Sequence, residues 1–242
     1  MIKLFGKSLL EWQIDTFKSC GISDITVVTG YKEDTINFPG IRYSRNPEYD
    51  TTNMIETLFC AKDQLVGSVI ISYGDIIFEK KILQKLIDSD YDISVVVDEN
   101  WREYWEIRFE HPLDDAESLT INDDDNIQSI GQKVKDYSEI HAQYIGLTKF
   151  QNNGIKDLKN FYNFVQNEAK SGVNPLNPLL PFKKSYMTDL LQGLVNAGYK
   201  IKSIPVNNGW LEVDTLQDYE IYKNLENENE LKKFISLDQV GT

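Results

Sequence analysis

The feature that most constrains this chain is a recurring pair: a segment of helical periodicity, then a short β-branched run closed by glycine or aspartate. The first pair opens at Ser8-Leu9-Leu10-Glu11, where a serine three residues before a glutamate marks a helix start. Leu10, Ile14 and Phe17 follow at helical spacing, and Gly21 is the natural stop. Ile25-Thr26-Val27-Val28-Thr29 then runs into Gly30 and reads as a buried parallel strand. The order returns twice. A helix over about 53–65 leads to a strand over 69–73 and Gly74-Asp75; a helix near 80–89 leads to a strand over 93–97 and Asp98. Such alternation predicts an open α/β sheet with right-handed crossovers. Ligands of these sheets bind at the carboxyl ends of the strands, which sets Gly30, Asp75 and Asp98 on one rim.

The pattern changes after Asp98. Aromatic and charged residues crowd 101–108, and Asp123-Asp124-Asp125-Asn126 reads as a hairpin turn between strands at 118–121 and 127–130. With a further strand over 142–150, the stretch of about 99–150 is expected to be an antiparallel lid inserted into a single domain spanning 1–242. Beyond it come a loop at 174–178, a helix over 187–197, and strands over 200–206 and 210–213. A polar, surface-facing helix follows Thr215.

Charge narrows the partners. The formal net charge is −13, from 25 basic and 38 acidic residues; such a surface repels phosphate backbones and argues against nucleic acid. Small anionic substrates stay open, since a few lysines and a divalent cation invert the local field. No apolar run approaches the roughly 18 residues needed to span a bilayer. Cys20 and Cys60 lack ligand-like spacing, so a reducing cytoplasm is expected.

Asp75 closes a strand at the rim, where a carboxylate either holds a divalent cation against phosphate oxygens or caps the next helix. In Trp210-Leu211-Glu212-Val213-Asp214-Thr215, Glu212 and Asp214 share one strand face. Two such carboxylates repel unless a cation lies between them; Asp214 could equally cap the helix that follows. Thr52 and Asn53 either offer polar groups to a nucleotide or belong to a cap before the next helix. In the insertion, Arg108 and Lys133 are anion binders by chemistry, with Glu117 and Gln143 beside them in sequence, though each alone reads as a solvated surface residue.

Several stretches are similar to known nucleotidyltransferases that activate sugar phosphates and phosphocholine-like compounds: Gly6-Lys7-Ser8-Leu9-Leu10, Gly21-Ile22 and Val27-Val28-Thr29-Gly30-Tyr31. Asn46-Pro47-Glu48-Tyr49-Asp50-Thr51-Thr52-Asn53-Met54 and Ile71-Ser72-Tyr73-Gly74-Asp75-Ile76 resemble the small bacterial cytidylyltransferases of phosphocholine and 2-aminoethylphosphonate. Arg108-Phe109, Pro112 to Glu117, Ile130-Gly131 with Lys133, and Ala142 to Leu147 resemble the phosphoglutamine cytidylyltransferases of capsule synthesis, as do Met187 to Gln192 and Trp210 to Asp214.

The resemblance implies a Rossmann-like, GT-A-like mixed sheet flanked by helices. It implies Mg²⁺-dependent transfer of CMP from CTP to a small phosphorylated or phosphonate acceptor, for surface-polysaccharide decoration. It assigns Asp75 and Asp214 to the metal, with Glu212 as a further catalytic residue. Thr52, Asn53 and Gly74 would face the nucleotide, and Trp101, Arg108, Glu117, Lys133 and Gln143 the acceptor. A hexose-1-phosphate enzyme using UTP or dTTP, a non-catalytic relative, and a homodimer all stay open. In one respect the sequence departs from the family pattern of a first strand, a Gly-x-Gly-x-Arg-Leu loop and a Pro-Lys pair. Met1-Ile2-Lys3-Leu4 begins after the place of that pair, so a sheet with unpaired edges beside the absent strand is expected.

Overall fold

The computed structural model describes residues 2–241. Two short strands, β1 (Lys3–Leu4) and β2 (Lys7–Ser8), form a tight antiparallel turn before α1 (Leu9–Ser19). The capping box is present: the Ser8 hydroxyl accepts the Glu11 N–H, and the Glu11 carboxylate takes the Ser8 N–H at 2.8 Å. Next come β3 (Thr26–Thr29), β4 (Arg42–Arg45), α2 (Met54–Phe59), β5 (Val69–Ser72), β6 (Ile76–Phe78), α3 (Lys80–Ile87) and β7 (Ile93–Asp98). The chain continues through α4 (Trp101–Arg108), β8 (Glu117–Ile121), β9 (Ile127–Lys133), β10 (Gln143–Phe150) and α5 (Asn153–Glu168). It ends with α6 (Met187–Asn196), β11 (Lys202–Val206), β12 (Trp210–Glu212) and α7 (Leu216–Asn227).

The main sheet has the order β11-β7-β10-β5. β11 is parallel to β7, while β10 is antiparallel to both β7 and β5, so the α/β sheet is mixed and helix-flanked. Alternate side chains of β7 enter the two cores: Val96 joins Tyr104, Trp210 and Tyr222, and Val95 and Val97 join Phe150, Leu158 and Leu191.

Two expectations about the insertion change. The stretch over 142–150 is no part of a lid; as β10 it lies inside the main sheet. Its residues are buried on both faces except at Tyr144, the signature of a covered strand rather than of a one-sided flap. The crowded stretch at 101–108 is helical and packs on α7. What remains of the insertion is α4 and the β8–β9 hairpin, whose turn contains the expected Asp123–Asn126 stretch and is closed by Asn122.

β3 pairs only with β4, in parallel, and neither joins β5 among the described residues. Between β3 and β5 lies a cavity of about 900 Å³, bounded by the two strand edges and by side chains of α1 and α2, with Gly74 and Asp75 in its lining. The open edges agree with the sequence expectation. They also explain why Thr26, Val27 and Val28 are half-buried rather than fully covered. α7 is polar as expected, but not wholly superficial: Tyr222 is fully buried. No helix among the described residues is long and apolar enough to cross a membrane.

Candidate active site

The site begins with a strand register. β12 pairs antiparallel with β6, setting Glu212 opposite Ile76, and the Val213 N–H then donates to the Asp75 carbonyl at 2.9 Å. Residues 75 and 214 are thereby brought to one place. Gln13 secures the Asp75 side of the joint: its Nε2 donates to the carbonyls of Tyr73 and Ile76, each at 2.8 Å, and its Oε1 accepts from the Ser72 hydroxyl. Thr215, not Asp214, caps α7, in a capping box with Asp218. The Asp214 carboxylate therefore stays outside the cap, 46% exposed.

Burial, and next to it the Asp214 charge, push the Asp75 pKa above the ordinary carboxylate value. Asp75 Oδ1 is buried and has no hydrogen-bond partner among the described residues. A buried, unpaired carboxylate oxygen beside a second carboxylate suits a cation. No group of three or more metal-ligating side chains converges among the described residues.

Glu212 is turned differently. Its carboxylate meets the Arg108 guanidinium, and burial pushes its pKa up to about 7 while Arg108 pulls the other way. Its main chain is held by a tyrosine pair. The Glu212 N–H donates to Tyr104 Oη at 2.9 Å, and Tyr222 Oη donates to the Glu212 carbonyl at 2.8 Å. Tyr222 having given its proton there, Tyr104 must donate to Tyr222 across their direct contact.

The residues expected at the acceptor divide. Arg108, expected as an anion binder, has a fully buried side chain engaged with Glu212, Asp214 and Asp218. Trp101 is 3% exposed, stacks on Tyr137 and meets Trp105 edge to face. Both sit inward because α4 turns them toward α7 and the aromatic cluster. Gln143 clasps the hairpin through the Glu117 main chain, accepting its N–H and donating to its carbonyl. Glu117 and Lys133 stand opposite each other across β8–β9, both exposed. These two retain side chains open to a ligand.

On the nucleotide side, Asn53 is itself the N-cap of α2, its Oδ1 accepting the Met54 N–H. Thr52 Oγ1 donates to the Glu48 carbonyl and accepts from Asn46 Nδ2. Gly74 is exposed and lines the cavity beside Asp75. Asp98, expected on the rim, is instead wholly buried and takes three hydrogen bonds. Gln13, Tyr104, Asp218 and Tyr222 escaped the sequence reading. Gln13 did leave a signal: it occupies a core position of the Leu10, Ile14, Phe17 face, where an amide needs partners.

Fold and site together describe a nucleotidyltransferase. The chain belongs to the family of the MobA-like NTP transferase domain, whose model matches residues 1–194. Within that class it is 34% identical, over 91% of its length and 89% of the relative's, to the CTP:phosphoglutamine cytidylyltransferase of Campylobacter jejuni. It is 27% identical to the choline-phosphate cytidylyltransferase of Streptococcus pneumoniae over 38% of this chain and 42% of that one. The fold matches an inositol-1-phosphate CTP transferase from T. maritima with a TM-score of 0.66 at 15% identity, covering 97% of this chain and 87% of that one. It also matches the pneumococcal CTP:phosphocholine cytidylyltransferase, with a TM-score of 0.65 at 19% identity over 93% and 88%.

Proposed function

We propose that this protein transfers CMP from CTP to a phosphoryl or phosphonyl oxygen of a small metabolite, with release of pyrophosphate. The acceptor oxygen forms a bond to the α-phosphorus as the bond from that phosphorus to the bridging oxygen of pyrophosphate breaks. Little covalent work falls to the protein, which contributes position and charge. The observation that carries this reading is the joining of Asp75 to the Asp214 segment through the Val213–Asp75 hydrogen bond. Asp75 and Asp214 would hold Mg²⁺, which when bound neutralises charge developing on the phosphates.

On the nucleotide side Gly74 lines the cavity beside Asp75, with Thr52 and Asn53 ordering the loop before α2. Lys133 and Glu117 face the acceptor, the lysine meeting its anionic group and the carboxylate any amine. Trp101, Arg108 and Gln143 support that side from within. We place the reaction in the cytoplasm, in keeping with the free thiols of Cys20 and Cys60. Its product would be an activated metabolite for decorating a surface polysaccharide, a reading that rests on the sequence resemblance alone.

Pyrophosphate release is the test. The full polypeptide is given Mg²⁺, one of CTP, UTP or dTTP, and a panel of phosphorylated amino-acid, choline and phosphonate acceptors. Release with CTP and an amine-bearing phosphorylated acceptor is expected. Preference for UTP or dTTP with a hexose 1-phosphate refutes the base and acceptor assignment. A folded protein that releases nothing with any pair refutes the transfer itself.

A further inference from the structure

The Asp214 side chain is nearly half exposed, and an aspartate so placed samples several rotamers unless something holds it. One group does. Arg108 Nη2 donates to Asp214 Oδ2 at 2.8 Å. The same guanidinium bonds Glu212 Oε1 through Nη1 and Asp218 Oδ1 through Nε, the latter at 2.9 Å. It lies against the rings of Tyr104, Trp105 and Phe109, with centroids 5.3, 5.6 and 5.0 Å from its central carbon. Its side chain is 0% exposed. A planar fork with fixed donor directions can serve three carboxylates from one place; an ammonium cannot reproduce that geometry.

Asp218 completes the frame. While its Oδ1 takes Arg108, its Oδ2 accepts the N–H groups of Asp214 and Thr215, at 3.2 and 2.9 Å, and the Thr215 hydroxyl. The main chain at Asp214 is thus held by Asp218, and its side chain by Arg108. One Asp214 oxygen is committed to the arginine, and the Asp214 charge is felt at Asp75.

We propose that Arg108 is a positioning residue: from the end of α4 it fixes Asp214 so that the free carboxylate oxygen and Asp75 form one cation-binding pair. This rests on the two-carboxylate reading above. The role is separable from a charge effect by sign. A cation near the site repels a bound metal, so removing positive charge alone strengthens binding, whereas loss of positioning weakens it. Arg108→Lys keeps the charge and removes the fork.

The test is titration of Mn²⁺ into wild-type protein, Arg108→Lys and Asp75→Asn by calorimetry, with circular dichroism and thermal melting to verify folding. Arg108→Lys is expected to bind Mn²⁺ roughly 10–100-fold more weakly than wild type, the range typical of groups that orient metal ligands. If Arg108→Lys is folded and its Mn²⁺ affinity is unchanged or higher, the positioning role is overturned, even where its melting temperature falls. Wild-type binding that persists undiminished in Asp75→Asn, or no wild-type binding at all, overturns the cation site and this role with it. Should Arg108→Lys fail to fold, Asp218→Glu displaces the same frame with its charge kept. Weaker Mn²⁺ binding in that folded variant supports the proposal, and unaltered binding ends it.

Discussion

Replacing Asp98 by asparagine isolates how much of this fold hangs on one buried carboxylate. Asp98 ends β7 with no exposed surface. Its Oδ1 accepts the N–H groups of Asn100 at 2.9 Å and Asn208 at 3.0 Å, and its Oδ2 accepts the Trp210 indole N–H at 2.8 Å. Every neighbour at hydrogen-bond distance is a donor. An asparagine can turn its carbonyl toward the two main-chain groups, but its amide nitrogen then confronts the indole. A charge-assisted bond worth about 1.5–3 kcal/mol is lost, and the orphaned indole adds a cost of the same order. Burial works the other way: it raises the Asp98 pKa, so the neutral amide is relieved of a desolvation penalty that the carboxylate carries. The net expectation is a loss of about 2 kcal/mol. For a chain of this size that lowers the melting temperature by roughly 4–8 °C. Urea denaturation should show a lower midpoint with an unchanged slope. An Asp98→Asn protein as stable as wild type refutes the reasoning, because the relief of desolvation then offsets the whole loss at the indole.

Tyr222→Phe removes the hydroxyl that donates to the Glu212 carbonyl and accepts from Tyr104; stability should fall by about 1–3 kcal/mol, and an unchanged urea midpoint contradicts the assigned proton directions. Gly131 has φ +76° and faces Thr188 at the start of α6, so Gly131→Ala should lower the melting temperature by separating hairpin from helix; an unaltered melting curve speaks against that packing. Cation binding should weaken on acidification from neutral pH. The raised pKa of Asp75 brings proton competition in at higher pH than for an ordinary aspartate. Mn²⁺ titrations showing loss only below about pH 4 would exclude Asp75 as the ligand. Asp75→Asn should abolish pyrophosphate release while the circular-dichroism spectrum stays as in wild type, and retained turnover removes Asp75 from the chemistry.

Much of the architecture is local in origin and was therefore legible. The Ser8–Glu11 box, the apolar runs ending at Ser72 and Asp98, and the hairpin turn at Asn122–Asn126 each depend on residues within a few positions of one another. The site was legible only in part. Asp75 and Asp214 were chosen by strand position and resemblance, and the β6–β12 register then brought them together. Arg108 and Trp101 were misplaced outward because a charge and an indole in a polar stretch look the same whether solvated or buried. Only the packing of α4 on α7 separates the two cases.

The sequence alone determined the alternation of helices and covered strands, the helix caps, and which carboxylates stood at strand ends. Periodicity and capping act over a turn or two of chain, and the chemistry of an aspartate does not depend on context. Tertiary structure decided which of those carboxylates were free to meet a ligand. Asp98 was enclosed by three donors and Glu212 was tied to Arg108, while Asp75 kept one oxygen unpaired among the described residues. Partners such as Trp210 and Asp218 arrive from distant segments, and burial removes the water that would otherwise have made these carboxylates alike.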